Sequence, residues 1–570
     1  MSRLTMTLIY VVCFAGAALA QEALKPEDIL GQDSELSLRQ AVELGLEYNL
    51  SLQVIRNDPA IAREDVRAAE GLFDPNLVGG FIQNHAETPV ASALQSFFGT
   101  TGNRTVDDGK NYAAGLNGIL PYGFSYSSGY AFRQLDSTSG LNSFKPQYTA
   151  DWTSAFTIPL LKGLYWDTPD LLVRQSNVSQ HISDATFESL LSNGVLQVEA
   201  TYWALSAARA LERATSTAVD TAKDLLEQTK VQYQVGTVSK VLVTQAEANL
   251  AQRQSQFIIA TNAAKAAQDA LLTAILAPGI NDYSTTTVRT EEPTFVPYPV
   301  NPEEAVAKAH TNRSELLASQ LGVEQAQIQE GYTWNQTLPT LNVGATYSMD
   351  GISGTQKTPP GPVVIPGSGG VLQPGLSINP FAPGTTTTPG GYQNVTVPFA
   401  VQPNFGFGTS PGEAHDNFFS GDGFHSWAFL ASFSYPLGNE TADARHVQSK
   451  IQLRKAKTAM RRTEQSLVLE VRSAVRALQS SIDLVESARR ARAASEETLR
   501  AEQERLRLGD STPHNVQQFQ DDLLQAQFSE ISALQAYRTN ISTLEFAQGT
   551  LLEARGISVE KERERGMDEY

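Results

Sequence analysis

From Glu440 to Arg507 the sequence contains neither proline nor glycine, and Ala, Gln, Glu and Arg dominate it. Good helix formers fill it and nothing interrupts them, so it predicts one continuous helix. Within it Leu467, Val471, Ala474, Leu478, Ile482 and Val485 recur every three or four residues, as one apolar stripe must. A counterpart over about 170–235 keeps the same rhythm through Val195, Val198, Tyr202 and Leu205. A helix of about 65 residues spans roughly 100 Å, more than a compact domain can cover. Long coiled coils carry the same stripes.

These two helices belong to two copies of one pattern. "LRQAVELGLEYNLSL" (38–52) resembles "PEEAVAKAHTNRSEL" (302–316) at an offset of 264 residues, and Pro75 and Pro339 share that offset. "SAFTIPLLKG" (154–163) resembles "ASFSYPLGNE" (431–440), and "YQVGTVSKVLVTQAEANL" (233–250) aligns with "LRLGDSTPHNVQQFQDDL" (506–523), Gly236 falling on Gly509. Each copy reads as short helix, proline, strands, proline, very long helix, glycine turn, helix, which points to a tandem duplication. Short helices over 38–73 and 240–277, and over 303–335 and 513–553, each add up to about the length of one long helix, so four rods per chain are expected.

The strands alternate. In "YTADWTSAFTI" (148–158) Tyr148, Ala150, Trp152, Phe156 and Ile158 take one face and Thr149, Asp151, Thr153 and Thr157 the other. "HSWAFLASFSY" (425–435) sets Trp427, Phe429, Phe433 and Tyr435 against Ser426, Ser432 and Ser434, and "LNVGATYS" (341–348) alternates likewise. Aromatics on one face and small polar groups on the other suit a barrel with lipid outside and water inside. An antiparallel sandwich with one wet face gives the same pattern. Residues 349–424, with runs such as "TPPGPVVIPGSGG" and "NPFAPGTTTTPGG", are expected to be a long irregular loop, and 85–110 and 134–147 shorter ones.

Composition narrows the partners. The 570-residue chain is 41% hydrophobic and 18% charged, with a formal net charge of −18, which argues against nucleic acid. Residues 1–20 read as a signal peptide: Arg3, an apolar run from Leu8 to Leu19, and Ala18-Leu19-Ala20 as a cleavage site, the alternative being a buried N-terminal helix. The one cysteine, Cys13, lies within that segment and outside any lipoprotein context, so the mature chain is expected to have no disulfide, thiolate metal site or thiol nucleophile. No later apolar run reaches the roughly 18 residues of a spanning helix, so any membrane crossing falls to strands.

Taken together, "LRQAV"/"PEEAV", "FDPNL"/"TLPTL", "IPLLKG"/"YPLGNE" and "YQVGT"/"RLGDS" make residues 36–556 resemble the bacterial outer-membrane efflux proteins, the TolC type of channel. The resemblance implies a mostly α fold with a β-barrel part: a homotrimer in which each chain gives four strands to a shared barrel and its helices to a periplasmic tunnel. It implies an outer-membrane location in a Gram-negative-type cell, outer-membrane lipid around the barrel, and passive export. The partners it implies are a periplasmic membrane-fusion adaptor and an inner-membrane pump or ABC transporter, in a tripartite efflux or type I secretion system. The corresponding organisation is a signal peptide at 1–20, an N-terminal segment at 21–35, a first repeat at 36–280 with strands near 77–84 and 148–158, a linker at 281–300, a second repeat at 301–556 with strands near 341–348 and 425–435, and a charged tail at 557–570, of which "VEKERERGMDEY" (559–570) is expected to fray.

Pro75, Pro159, Pro339 and Pro436 would mark the passages between tunnel and barrel, since proline continues neither hydrogen-bond pattern. The turns at Val235, Gly236, Thr237 and at Leu508, Gly509, Asp510 would be the adaptor-docking tips, although a glycine there needs only to reverse a helical hairpin. Acidic rings line the entrance of the best-known relative; here those positions are Asn515 and Gln518, with Asp521 and Asp522 one to two turns on as candidates for a displaced ring or for a solvated face. One departure is "YAAGLNGILPYGFSYSSGYAF" (112–132), an additional hairpin about Leu120-Pro121-Tyr122-Gly123, which either adds two strands to the four of the family arrangement or stands as an extracellular excursion, the reading favoured here. No catalytic motif, cofactor fingerprint or convincing metal set is present, His415, Asp416 and His425 being incidental loop residues. An enzyme is not expected. The competing class is a structural or adhesive coiled-coil envelope protein without a pore.

Overall fold

The structure, a computed structural model of the chain, describes residues 35–90, 103–140, 142–275, 287–357, 363–365, 386–387, 393–397, 406–420 and 424–565. The expected signal peptide with Cys13, the segment 21–34, and both quoted Pro/Gly-rich runs except residues 363–365 and 386–387 lie outside those residues. The elements in order are β1 (Glu35–Leu36), α1 (Leu38–Tyr48), α2 (Leu50–Glu70), β2 (Asn76–Pro89), β3 (Arg104–Leu120), β4 (Phe124–Ser137), β5 (Phe144–Pro159), α3 (Thr168–Gln234), α4 (Lys240–Ile275), β6 (Arg289–Thr290), α5 (Pro302–Asn312) and α6 (Ser314–Asn335). There follow β7 (Thr340–Gln356), β8 (Val363–Ile365), β9 (Thr386–Thr387), β10 (Gln393–Val397), α7 (Pro411–Phe419), β11 (Phe424–Ser434), α8 (Glu440–Leu508), α9 (Pro513–Ala547), α10 (Leu551–Ala554) and α11 (Val559–Arg565). They fall into two compact units, one of Met1–Arg63, Ser179–Val323 and Lys455–Tyr570, the other of Glu64–Val178 and Glu324–Arg454.

The long helices are continuous: α3 has 67 residues and α8 has 69. Their expected stripes bury in two separate cores of the first unit. Val195, Val198, Tyr202 and Leu205 pack with Leu44, Leu52, Leu271 and Ile275, while Leu467, Val471, Leu478 and Val485 pack with Leu316, Tyr537 and Leu544. Both buried tyrosines have satisfied hydroxyls, as a buried O–H requires. Tyr202 donates to Leu36 O at 2.8 Å and accepts from Glu291 N–H at 2.9 Å, while Tyr537 donates to Val296 O.

The short helices are spliced at equivalent residues of the two copies. Asn49 separates α1 from α2: its Oδ1 accepts from Ser51 N–H at 2.8 Å and caps α2, while its Nδ2 donates to Ala274 O, in the last turn of α4, at 2.7 Å. Arg313, 264 residues later, separates α5 from α6 and donates to Phe546 O, in the last turn of α9, at 3.0 Å. One side chain thus satisfies the exposed end of an incoming helix in each copy.

The C-terminal segment corrects an expectation. Residues 559–565 form α11, and Glu562 is buried against Arg56, which also donates to Leu46 O. A buried carboxylate paired with a buried guanidinium holds this segment to α1 and α2 instead of leaving it to fray.

The second unit carries a six-stranded antiparallel sheet in the order β11-β7-β5-β4-β3-β2. Here the excursion expected at 112–132 is overturned. β3 pairs with β2 along its length and β4 with β5, so both added strands lie inside the sheet, hydrogen-bonded on both sides. Their pleat matches that of their neighbours, which is why they are accepted there. The strands are also longer than the quoted segments, and 85–89, 104–110, 134–137, 144–147 and 349–356 are strand, not loop. Within the expected loop 349–424, β8, β10 and β9 form a small sheet, and α7 lies on the large one. Ser410 caps α7 together with Glu413, and Ala414 and Phe418 bury one turn apart.

Candidate functional site: strand wall, junctions and hairpin tips

Register decides which residues share a face of the sheet. One row runs Gly79–Ala114–Tyr130–Trp152–Met349–His425, and two residues along lies Leu77–Leu116–Ser128–Ser154–Tyr347–Trp427. Between them, on the other face, runs Val78–Gly115–Gly129–Thr153–Ser348–Ser426. The first face gathers the aromatics: Phe81 and Tyr112 have ring centroids 4.9 Å apart, Phe132 and Tyr148 6.1 Å, Phe124 and Phe156 6.0 Å. The second face is mainly small or polar, broken by apolar residues such as Val78, Ile82 and Leu430, and Ser348 and Ser426 share a 2.7 Å hydrogen bond upon it. The sequence pattern of alternation therefore extends over six strands, and α7 covers part of the aromatic face by stacking His415 on Phe132 at 4.9 Å and Phe418 on Trp152 at 6.4 Å. His415 also meets the Tyr130 hydroxyl, which commits its ring to the sheet.

The four prolines all stand at strand ends. Pro75 precedes β2, Pro159 closes β5, Pro339 precedes β7, and Pro436 follows β11. Around them the chain is clasped: Leu160 N–H donates to Leu341 O at 2.8 Å, and Asn335 accepts from Gly163 N–H at 2.7 Å and donates to Leu161 O at 3.2 Å. The β3–β4 turn joins this cluster. Tyr122 (φ 74°) and Gly123 (φ 78°) reverse the chain, Tyr122 N–H donates to Asp170 Oδ2 at 3.0 Å, and its ring lies 4.5 Å from Tyr165. A Cβ on Gly123 would sit 2.8 Å from Pro159, so glycine permits the close approach. Asp167 accepts from Asp170 N–H at 2.8 Å, and burial, with the Asp170 carboxylate beside it, pushes Asp167 up to about 6.

In the first unit the two hairpin tips have one geometry. Gly236 (φ 83°) donates to Tyr233 O at 3.0 Å and Thr237 N–H to Gln232 O at 2.9 Å. Gly509 (φ 81°) donates to Leu506 O at 3.1 Å and Asp510 N–H to Arg505 O at 2.9 Å. Both are Schellman caps, in which a left-handed glycine lets the last carbonyls of a helix be satisfied. Each tip leaves an apolar side chain in solvent, Val235 69% and Leu508 76% exposed.

The aperture candidates lie on α9. Asn515 donates to Ser511 at 3.4 Å, and Gln518 and Asp522 are exposed. Asp521 is ion-paired with Arg253 of α4, whose side chain is only 3% exposed. Arg253 is a residue that sequence reasoning missed; three scattered cations, Lys240, Arg253 and Lys265, in an Ala- and Gln-rich helix gave no periodic signal. Among the described residues no cluster of His, Cys, Asp and Glu could hold a metal ion, and no helix is long and apolar enough to cross a membrane.

The family model described as outer membrane efflux protein matches residues 127–275 and 400–550, more than half of the chain and one block in each copy. The chain belongs to the outer membrane efflux protein family. It is therefore an outer-membrane channel protein, of a family of channels and not of enzymes. The fold is that of several solved channels. The outer membrane channel CmeC of Campylobacter jejuni superposes with a TM-score of 0.59 at 16% identity, over 93% of this chain and 89% of that one. VceC of Vibrio cholerae gives 0.55 at 15%, over 90% and 96%, and the open state of the Neisseria gonorrhoeae channel MtrE gives 0.55 at 16%, over 90% and 89%. A sequence search of curated proteins returns no match.

Proposed function

We propose that this efflux protein is the exit duct of a tripartite efflux or type I secretion system: a homotrimer that conducts cargo passively across the outer membrane and extends into the periplasm. The observation that carries this reading is the register of the six-stranded sheet, which gathers most of its aromatics on one face and leaves the other rich in Gly, Ser and Thr. A wall with one oily and one wet face serves a conduit in lipid, where every strand edge must also be paired. The repeats 36–280 and 301–556 each supply two rods and a share of that wall, and Pro75, Pro159, Pro339 and Pro436 mark the passages into it. The energy comes from an inner-membrane pump or ABC transporter.

The tips at Val235, Gly236 and Thr237 and at Leu508, Gly509 and Asp510 are the docking points for a membrane-fusion adaptor. Identical caps with an exposed apolar residue support this role. Near them Asn515, Gln518, Asp521 and Asp522 are the candidates for the periplasmic aperture. Arg253 neutralises Asp521, so Asp522 is left as the acid that gives the lumen a cation preference. In single-channel recordings Asp522→Asn lowers cation selectivity more than Asp521→Asn does; unchanged selectivity in both removes the acidic ring. The function as a whole is tested by extracting the protein from membranes and adding it to planar bilayers. A heat-resistant trimer that gives discrete ionic steps without nucleotide supports it, and a detergent-independent, electrically silent protein refutes it.

A further inference from the structure

We propose that three copies of this chain close an eighteen-stranded barrel, not the twelve-stranded one that four strands per chain would make, with β2 of each copy paired to β11 of the next. This rests on the trimeric reading above; what is new is the strand number and the surfaces that join. The sheet has two open edges among the described residues, β2 and β11, and no residue of β11 and almost none of β2 is better than exposed. Leu77 is 84% exposed, Phe429 78% and Trp427 69%. Open edges do not persist in hydrocarbon, because each unpaired N–H and C=O there costs several kcal/mol.

The occupant of these edges is a second copy of the same chain. β2 runs from the helix-proximal end of the sheet and β11 runs back towards it, so β2 against a neighbour's β11 continues the antiparallel alternation without a break. Six strands are too few to close alone, since spanning barrels of one chain begin at about eight. The added pair cannot be set aside in the count. β4 shares the load of α7 with β5, through Tyr130 and Phe132 beside Trp152, and the β3–β4 turn is docked at Pro159 and Asp170. Both strands also continue the aromatic face through Tyr112, Tyr130 and Phe132.

The consequence is size. Strands about 4.8 Å apart and tilted about 40° each occupy about 6 Å of circumference, so eighteen enclose a backbone ring about 36 Å across and twelve one of about 24 Å. The cross-section roughly doubles. The wall of this channel then admits bulkier cargo than four strands per chain would allow, and the helical aperture sets the limit on passage.

The test is an electron cryomicroscopy map of the full chain in nanodiscs, with the particle mass measured in parallel. Three copies with eighteen strands in the wall is the expected result. Three copies with twelve strands, and 104–137 outside the wall, overturns this inference and leaves the exit-duct reading standing; a monomer with no closed wall overturns both. A second measurement does not depend on the map. Ser128 and Ser154 face each other across β4 and β5 with their hydroxyls 2.8 Å apart. In Ser128→Cys/Ser154→Cys protein, oxidation in membranes links the pair within one chain, with a mass loss of two hydrogens, if β4 belongs to the wall. Free thiols at both sites in folded trimer contradict it.

Discussion

At the scale of single residues, conformation and burial carry the strongest consequences. Gly236 and Gly509 hold φ near +80° where a Cβ is disfavoured, and neither would meet a neighbour within 4 Å, so the penalty of substitution is purely conformational. Gly236→Ala and Gly509→Ala should each destabilise their tip by about 1 kcal/mol, visible as faster amide exchange over 235–240 or 509–515 with the rest of the helices unchanged. Asp167 gives a pH dependence. Its raised value means the folded chain prefers the protonated acid, so the contribution is present below its ordinary value of about 4 and lost as pH rises through about 6. Asp167→Asn keeps an acceptor for Asp170 N–H without the charge. After allowance for partial exposure, it should raise stability by about 1 kcal/mol at pH 7.5 and by nothing near pH 3.5, read from thermal melts at the two pH values. The glycines of the helical-hairpin turns and the prolines at strand ends were legible because each residue type has one conformational speciality. Arg253 and Asn335 were not, since a long-range partner leaves no local mark on a sequence.

Among the elements, legibility followed the length of the pattern. The two long helices were readable over nearly all of α3 and α8, where dozens of positions repeat one period. The strands were found but shortened, because their outer halves carry Asp, Glu and Lys and lose the apolar alternation that marked their centres. Two short elements were missed although their signals stand in the sequence. Ser410-Pro411-Gly412-Glu413 is a capping box with proline at the first helical position, and it starts α7 inside a segment otherwise read as irregular. α11 was obscured by its charge. Five of its seven residues are Glu, Lys or Arg before the last Arg565 is counted, and only the structure reveals that Glu562 turns inward to Arg56. Glu562→Ala leaves that guanidinium buried with one carbonyl for company and should destabilise the protein by about 3 kcal/mol, with the loss measured against Glu560→Ala, which should change little.

For the molecule as a whole, duplication was the most informative property. Four paired motifs in one order identified the family, and the family match falls in two blocks accordingly. The family arrangement of four strands per chain favoured an excursion over two added strands for the hairpin that only the first copy possesses. Physically it belongs within, since its alternation, its turn chemistry and its aromatic face all agree with its neighbours. The central claim is that this sheet separates lipid from water, and the chain allows a direct measurement because its one cysteine is Cys13. Single cysteines placed in turn at Thr153, Thr157 and Ser432, and at Trp152, Phe156 and Phe433, can be challenged in intact membranes with a charged, impermeant thiol reagent. The account predicts rapid modification at the first three and protection at the aromatic three; equal protection on both faces, or modification confined to the aromatic face, would contradict it.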